Sequence, residues 1–472
     1  MKGLYNIVIF IFYLILVLEY FIVFGSVFQN REFSHFLEIQ LFIVYIMSLT
    51  IIWKRYGFTS LFSIFLLCLG LFNFQRFFLD YFLNMDYRIP DAAIYPILTE
   101  ITVQKTLYIY TIFTFILTHC YVKFDKYSKE EKIKFNNEIS TDFNLIRIGR
   151  YLMILFLPLV LYRGILEFMA LLGRSFTDIY VENVFIDIPT YLKISSVFFQ
   201  LGFMMLLGGK PSIRSFYIFG LIYLITFIPN LLMGLRAMFA VSFLFLFWYY
   251  TNIYNKKINM IRAFITLFVV ILLLQYIAFI RVKADVENNL FKTVLTFLTS
   301  QSQSMYVLSY YIQYNDVVNQ INNYPYLLDP LISWLYPSGQ SLEVLNSRSA
   351  LGHQLTYVVN PDYYFVGASL GTSFIAEIYE FGMLGIIIGA ILFSFLISYF
   401  NKLYFRKKLI FIFSMFFVQY FFIAPRSTFL PNLYFFARYL TIFIFIYIIV
   451  NPKSGILPKK NYFRVKNINK YV

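Results

Sequence analysis

Two cysteines in 472 residues, three histidines and 13% charged residues are what this chain has least of. Cys68 and Cys120 both sit inside apolar runs, which excludes a disulfide framework and a cysteine-based zinc site. A charged fraction near half of that usual for a soluble domain leaves too little polar surface to cover a water-facing globule of this length. No Asp-any-Asp pair occurs, so the acidic pair of a nucleotide-sugar metal site is missing. The histidines, cysteines and carboxylates show no metal-ligand cluster in the sequence. Neither a metal nor a cofactor is expected.

What the chain does have is hydrophobic length. Hydrophobic residues make up 60%, with 59 Phe and 41 Tyr. Runs long enough to cross a bilayer lie near residues 4–24, 36–53, 58–78, 104–122, 148–171, 190–208, 216–233, 236–251, 263–281, 370–400, 409–424 and 434–450. These twelve runs predict an all-α, polytopic integral membrane protein, one membrane domain over residues 1–472. The first run, Leu4 to Phe24, is followed by Gly25–Asn30 without a small-residue cleavage pattern, which reads as a retained signal anchor.

The net charge of +15 follows from the predicted topology. With the N-terminus inside, 25 of the 39 basic residues fall in cytoplasmic loops and tails, the last being a basic tail over 451–472. Both termini are then cytoplasmic, and anionic inner-leaflet lipid accounts for the positive surface without nucleic acid as a partner. The cytoplasmic set holds 18 Lys and 7 Arg, whereas the other 14 are ten Arg and four Lys. Arginine offers a planar fork that stays charged near lipid and grips phosphate at two oxygens. Arg236 lies in "LLMGLRAMF" where two spans meet almost without a loop, Arg281 ends a span in "AFIRVKAD", and Arg426 follows a helix-breaking proline in "IAPRST". All three are expected at outer ends of spans.

Between Arg281 and Gly367 the chain makes its longest excursion, an extracytoplasmic loop or lid over 282–367 between spans 9 and 10. "VLTFLTSQSQSMYVLSYYIQY" is helical in pattern but interrupted at "SQSQS", and "YPYLLDPLISWLYPSGQ" suits a short interfacial helix. "NSRSALGHQLTYVVNP" follows, with Arg348 and His353. The run from Leu370 to Phe400 is about 46 Å long as a helix, more than the roughly 30 Å of hydrocarbon, so its first turns should project outward. Glu377 would then lie at the outer interface beneath the loop, with the arginines or His353 as partners, and Glu380 would be a solvated helix-end acid. Gly382, Gly385 and Gly389 suggest close helix packing.

An outward "GLR" between spans, a long outer loop ending in "GHQLTY", and "LGTSFIAEIYEFGMLG" leading into a span together resemble the O-antigen (O-unit) polymerases of the Wzy type. The resemblance is strongest over Gly234–Gly389 and rests on the order of these features. It implies a bacterial inner-membrane glycosyltransferase that works without a metal on undecaprenyl-pyrophosphate-linked oligosaccharides. A chain-length regulator is a further partner that it admits. Arg236, Arg281, Arg426 and Arg348 would stabilise the pyrophosphate leaving group, and Glu377 or His353 would accept the acceptor's proton. Two other classes compete. A lipid-linked oligosaccharide flippase would show two similar halves, which are absent, although Asn73, Gln75 and Arg76 late in a span are polar enough for transport. An O-antigen ligase would share the arginines and the loop and differ in its acceptor.

The basic asymmetry sets a test of topology. Single cysteines placed in 300–350 should react with an impermeant thiol reagent from outside the inner membrane, and those in 124–145 or 455–470 should not. The reverse pattern would put the arginines on the cytoplasmic side.

Overall fold

The structure, a computed structural model, describes residues 2–89, 95–125, 141–170, 188–233, 236–254, 256, 269, 272, 290–337, 339–403 and 408–450. Every regular element among them is helical. In chain order these are α1 (Lys2–Phe24), α2 (Arg31–Tyr56), and α3 (Leu61–Leu69), which runs through a π turn (Gly70–Phe74) into α4 (Gln75–Leu83). Next come α5 (Glu100–Phe124), α6 (Phe143–Ala170), α7 (Thr190–Gly208), α8 (Ile213–Ile225) with the short α9 (Ile228–Leu232), and α10 (Arg236–Ile253). Seven of the helical stretches are long and apolar enough to span a bilayer: Arg31–Tyr56, Leu61–Leu83, Glu100–Phe124, Phe143–Ala170, Thr190–Gly208, Ile213–Leu232 and Gly382–Asn401. The other expected spans correspond to α1, to α10 and to two C-terminal helices given below, except the run near 263–281, which lies outside the described residues.

Span ends are fixed by local capping chemistry. Side chains of Asn30, Ser60 and Thr99 accept the backbone N–H three residues on, at 3.1, 3.3 and 3.3 Å, and so start α2, α3 and α5. Hydrogen bonds gather several described chain ends at one end of the bundle: the Tyr56 hydroxyl donates to the Asp125 carbonyl at 2.8 Å, the Asn252 amide to the Thr59 carbonyl at 2.7 Å, Asp142 N to the Gly209 carbonyl at 3.0 Å, and the Tyr254 hydroxyl to the Pro211 carbonyl at 2.6 Å.

α5 is the hub, buried along most of its length and packed against α2. Its aromatic contacts fix the register: Tyr121 stacks on Phe62 at 3.9 Å, and Phe113 meets Phe374 edge-on at 5.4 Å. Buried phenols do not waste their polar ends; the Tyr108 hydroxyl donates to the Leu16 carbonyl at 2.8 Å. Beside this group, α6 and α7 pair by close backbone approach. A Cβ on Gly149 would lie 2.5 Å from Leu206 N and 2.6 Å from Gly202 O.

On the far face the long segment is itself helical: α11 (Leu290–Gln301), α12 (Ser304–Gln313), α13 (Asn315–Gln320), α14 (Asp329–Ile332), α15 (Leu342–Ser347), α16 (Leu351–Val359) and α17 (Pro361–Phe365). The helix breaks at "SQSQS", and 3-10 turns at Tyr326–Leu328 and Ser333–Leu335 flank α14, leaving Trp334 and Leu335 exposed.

The expected continuous helix from Leu370 to Phe400 does not form. α18 (Phe374–Tyr379) and α19 (Gly382–Leu403) are separate, joined by a tight turn in which Gly382 has φ +62. The reversal seats Ile378 against α19, where a Cβ on Gly385 would collide with the Ile378 carbonyl oxygen. Gly382 therefore supplies a left-handed conformation, and Gly385 supplies the close packing. The chain ends with α20 (Lys408–Ile423), a 3-10 turn Ala424–Arg426, and α21 (Leu433–Val450).

Gly149→Ala should lower the melting temperature in detergent by several degrees, because the added methyl meets backbone; overpacking costs roughly 1–3 kcal/mol. Gly220→Ala, whose Cβ would meet only Leu246 at 3.5 Å, should change it little. Equal melting of both variants would remove close α6–α7 packing as a source of stability.

Candidate functional site

The site is built where helices are interrupted. Pro425 ends α20, and the 3-10 turn that follows delivers Arg426 to the loop-side end of the bundle. Its Nη1 donates to Gln301 Oε1 at 2.8 Å, and the guanidinium lies 6.0 Å from the centre of the Phe72 ring. Phe72 belongs to the π turn, which packs against the Ala424–Arg426 turn. Burial holds the Arg426 pKa below the ordinary arginine range, and the positive charge of Arg236 at the start of α10 lowers it further. Arg426 thus has a neutral hydrogen-bond partner and a like-charged neighbour. An anion placed there would relieve both desolvation and repulsion.

Glu377, on α18, is buried, with 2% of its surface exposed. The Thr372 hydroxyl donates to Oε1 at 2.8 Å and the Phe429 backbone N–H donates to Oε2 at 2.8 Å. Both expected partners, the arginines and His353, are replaced by these neutral donors. The reason is the turn at Gly382, which folds α18 onto the Ala424–Arg426 turn instead of extending it outward. Glu377 therefore fastens the segment just after Arg426. Burial pushes its carboxyl up to about 8, opposed by the two hydrogen bonds and reinforced by Asp329 and Glu380.

Arg348 and His353 lie in the long helical segment, at the end of α15 and in α16. Arg348 grips Asp329 through Nε and Nη2, both at 2.7 Å, so its charge is already matched. His353, in the first turn of α16, lies edge-on to Tyr364 at 5.9 Å, and its Nδ1 is buried without a hydrogen-bond partner. Desolvation, then the Arg348 charge, pull its pKa down to about 4, against an upward pull from Asp329. The imidazole is neutral at pH 7. Asp329 acts on both His353 and Glu377, and α16 abuts the chain leading to Glu377: a Cβ on Gly352 would lie 2.6 Å from Gly371 O, and Leu370 N donates to Thr356 Oγ1 at 3.0 Å.

Glu380 is not a solvated acid. Its carboxylate accepts the Asn322 side-chain N–H at 2.7 Å and the Tyr326 backbone N–H at 2.8 Å, tying the stretch between α13 and α14 to α18.

Of the residues expected at the site, Arg236 lies near enough for its charge to act on Arg426, and Glu377 joins the Arg426 turn. Arg348 is neutralised by Asp329, and Arg281 lies outside the described residues. Gln301, Asp329 and Thr372 were not anticipated. Only Gln301 had a signal, the polar "SQSQS" interruption of an apolar helix. Also unexpected is the π turn, after which both amide atoms of Gln75 are buried without partners; such turns recur at functional sites.

The reading that His and carboxylates form no cluster needs correcting. Ligand atoms of His35, Glu38 and Asp80 lie within 4.8 Å of one another. The group is filled by its own contacts, with His35 Nδ1 bonded to Glu38 Oε2 at 2.9 Å, the Tyr87 hydroxyl donating to Glu38 Oε1 at 2.7 Å, and Arg31 paired with Asp80. An arginine already stands where a metal would supply positive charge.

A family model described as O-antigen polysaccharide polymerase Wzy matches residues 5–455. No curated protein and no solved structure matches the chain.

The buried acid makes stability depend on pH. A carboxyl near 8 when folded and near 4.5 when unfolded favours the folded state at low pH, an advantage lost as pH rises from about 4.5 to about 8. Wild-type melting temperature should fall across that window, and Glu377→Gln should flatten the slope. Glu377→Ala should cost about 1–3 kcal/mol, because the Phe429 N–H is left unpaired. An unchanged slope in Glu377→Gln would show that another group carries the pH dependence.

Proposed function

The chain belongs to the O-antigen polysaccharide polymerase family, and from that premise we propose that it joins undecaprenyl-pyrophosphate-linked repeat units at the outer face of a bacterial inner membrane. The growing glycan is transferred from its lipid carrier to a hydroxyl at the non-reducing end of a new lipid-linked unit. A bond forms between the acceptor oxygen and the sugar's anomeric carbon, the bond from that carbon to the pyrophosphate oxygen breaks, and undecaprenyl pyrophosphate leaves with the bonding electrons. The observation that carries this reading is the Arg426 and Arg236 pair, set at a helix break under a helical lid, with Gln301 as Arg426's neutral partner. Charge develops on the leaving pyrophosphate, and two arginines fixed in place stabilise it without reorganising.

The acceptor's proton needs a base, which general-base catalysis rewards by roughly 100-fold to 10,000-fold. His353 is neutral at pH 7 and partly accessible, whereas both Glu377 oxygens are engaged. We therefore give His353 the proton and Glu377 the positioning of Arg426 through Phe429. Arg281 remains a candidate for the same anion on its place in the sequence, and Arg348 serves by holding Asp329 near the imidazole.

Three sets of variants test this in a strain that displays long glycan chains on gels. Arg236→Ala and Arg426→Ala should abolish long chains at normal protein levels, with Lys restoring little because it lacks the bidentate fork. His353→Asn should reduce polymer by at least about 100-fold, whereas Glu377→Gln should keep most of it and Glu377→Ala should not. Full activity in Arg426→Lys would reduce that residue to a membrane anchor. Full activity in His353→Asn together with loss in Glu377→Gln would exchange the two roles.

A further inference from the structure

The opposite face of the membrane carries a second polar site, which the polymerase reading does not use. A cavity of about 810 Å³ opens between the start of α6, the connector from α7 to α8, and Tyr254 just beyond α10. Arg147, Arg150 and Lys210 line it, and no carboxylate does among the described residues. The nearest described acid in sequence, Asp142, is occupied at the start of α6, where its Oδ1 accepts the N–H of Asn144 at 3.1 Å and of Leu145 at 3.3 Å.

Arg150 is only partly satisfied. Its Nη2 donates to Ser215 Oγ at 3.0 Å, while its Nε is buried with no hydrogen-bond partner. The connector is held by the Tyr254 hydroxyl, which donates to the Pro211 carbonyl at 2.6 Å, and by Asp142 N, which donates to Gly209 O at 3.0 Å. Lys210 sits there with φ +53, a strained conformation for a residue with a side chain. A glycine would be easier at this position, yet the chain keeps a lysine on the cavity wall.

The remaining lining explains what kind of anion fits. Ile146, Tyr151 and Ile154 continue the cavity along α6, and Tyr151 and Ile154 are exposed on the outer surface of that helix. A soluble phosphate has no use for that apolar wall, whereas an acyl chain does.

We infer that this cavity binds an anionic glycerophospholipid of the adjacent leaflet, its phosphate among Arg147, Arg150 and Lys210 and its acyl chains along Tyr151 and Ile154 of α6. Basic pockets between spans are suited to such headgroups, and each basic residue near an anionic bilayer surface contributes affinity.

Purified, delipidated protein in detergent, titrated with phosphatidylglycerol or phosphatidylcholine and followed by native mass spectrometry, tests the assignment. The wild type should retain phosphatidylglycerol in preference to phosphatidylcholine. Arg147→Gln with Arg150→Gln should weaken it roughly 25-fold, about five-fold per charge. Lys210→Gly should weaken it about five-fold while leaving the melting temperature equal or higher, since glycine accepts the positive φ. This variant decides the matter if the arginine variants do not fold. Equal retention of both lipids, or unchanged phosphatidylglycerol binding in Lys210→Gly, would overturn the proposal. Displacement of the lipid by millimolar inorganic phosphate would overturn it as well, making the cavity a site for free anions.

Discussion

A backbone amide or carbonyl away from water must find a partner within the chain, and in a bilayer a regular helix provides one for every residue except those at its ends. The places where this protein departs from regular helix are therefore the places where its polar side chains are concentrated. Glu377 receives the Phe429 amide, Glu380 receives that of Tyr326, Thr356 receives that of Leu370, and Ser349 receives those of Asn323 and Tyr324. Each closes an interruption that a hydrophobic side chain would leave open. The long helical segment, the turn at Pro425 and the turn at Gly382 are thus one construction, in which side chains from one segment complete the backbone of another.

That construction explains which parts were legible from sequence. The apolar runs among the described residues and the "SQSQS" interruption follow from composition and local chemistry, and they appear as helices and as a helix break. The break between α18 and α19 does not announce itself by hydrophobicity, because apolar residues continue on both sides of Glu380. Its cue is Gly382, which sequence alone reads equally well as a packing residue. Once that helix is taken as straight, Glu377 and Glu380 are aimed wrongly. The proposed partners of Glu377 were charged, whereas its real ones are a hydroxyl and a backbone amide that no sequence spacing connects. His35, Glu38 and Asp80 were invisible for a similar reason, since their grouping depends on how α2 and α4 pack.

The arginines divide by their counter-charges rather than by their depth. Arg31 and Arg88 are held by Asp80, Asp86 and Glu100, Arg163 by Glu167, and Arg348 by Asp329. These pairs are complete, and they brace the ends of helices. Arg426 instead meets an amide oxygen, an aromatic ring and another arginine. Sequence counts every arginine alike, but the structure separates those matched by a carboxylate from those, such as Arg426, whose hydrogen-bond partner is neutral.

The chain breaks are fastened differently at the two faces. Where the loop face relies on Glu377 and Glu380, the basic face relies chiefly on phenols and amides: the hydroxyls of Tyr56, Tyr249 and Tyr254 donate to the carbonyls of Asp125, Leu207 and Pro211, and the Asn252 amide donates to Thr59 O. Neutral clasps are insensitive to ionic strength and to pH near neutrality. A change of surrounding medium therefore strains the carboxylate clasps at one end of the helical bundle more than the neutral ones at the other, as a book opens its pages while the spine holds.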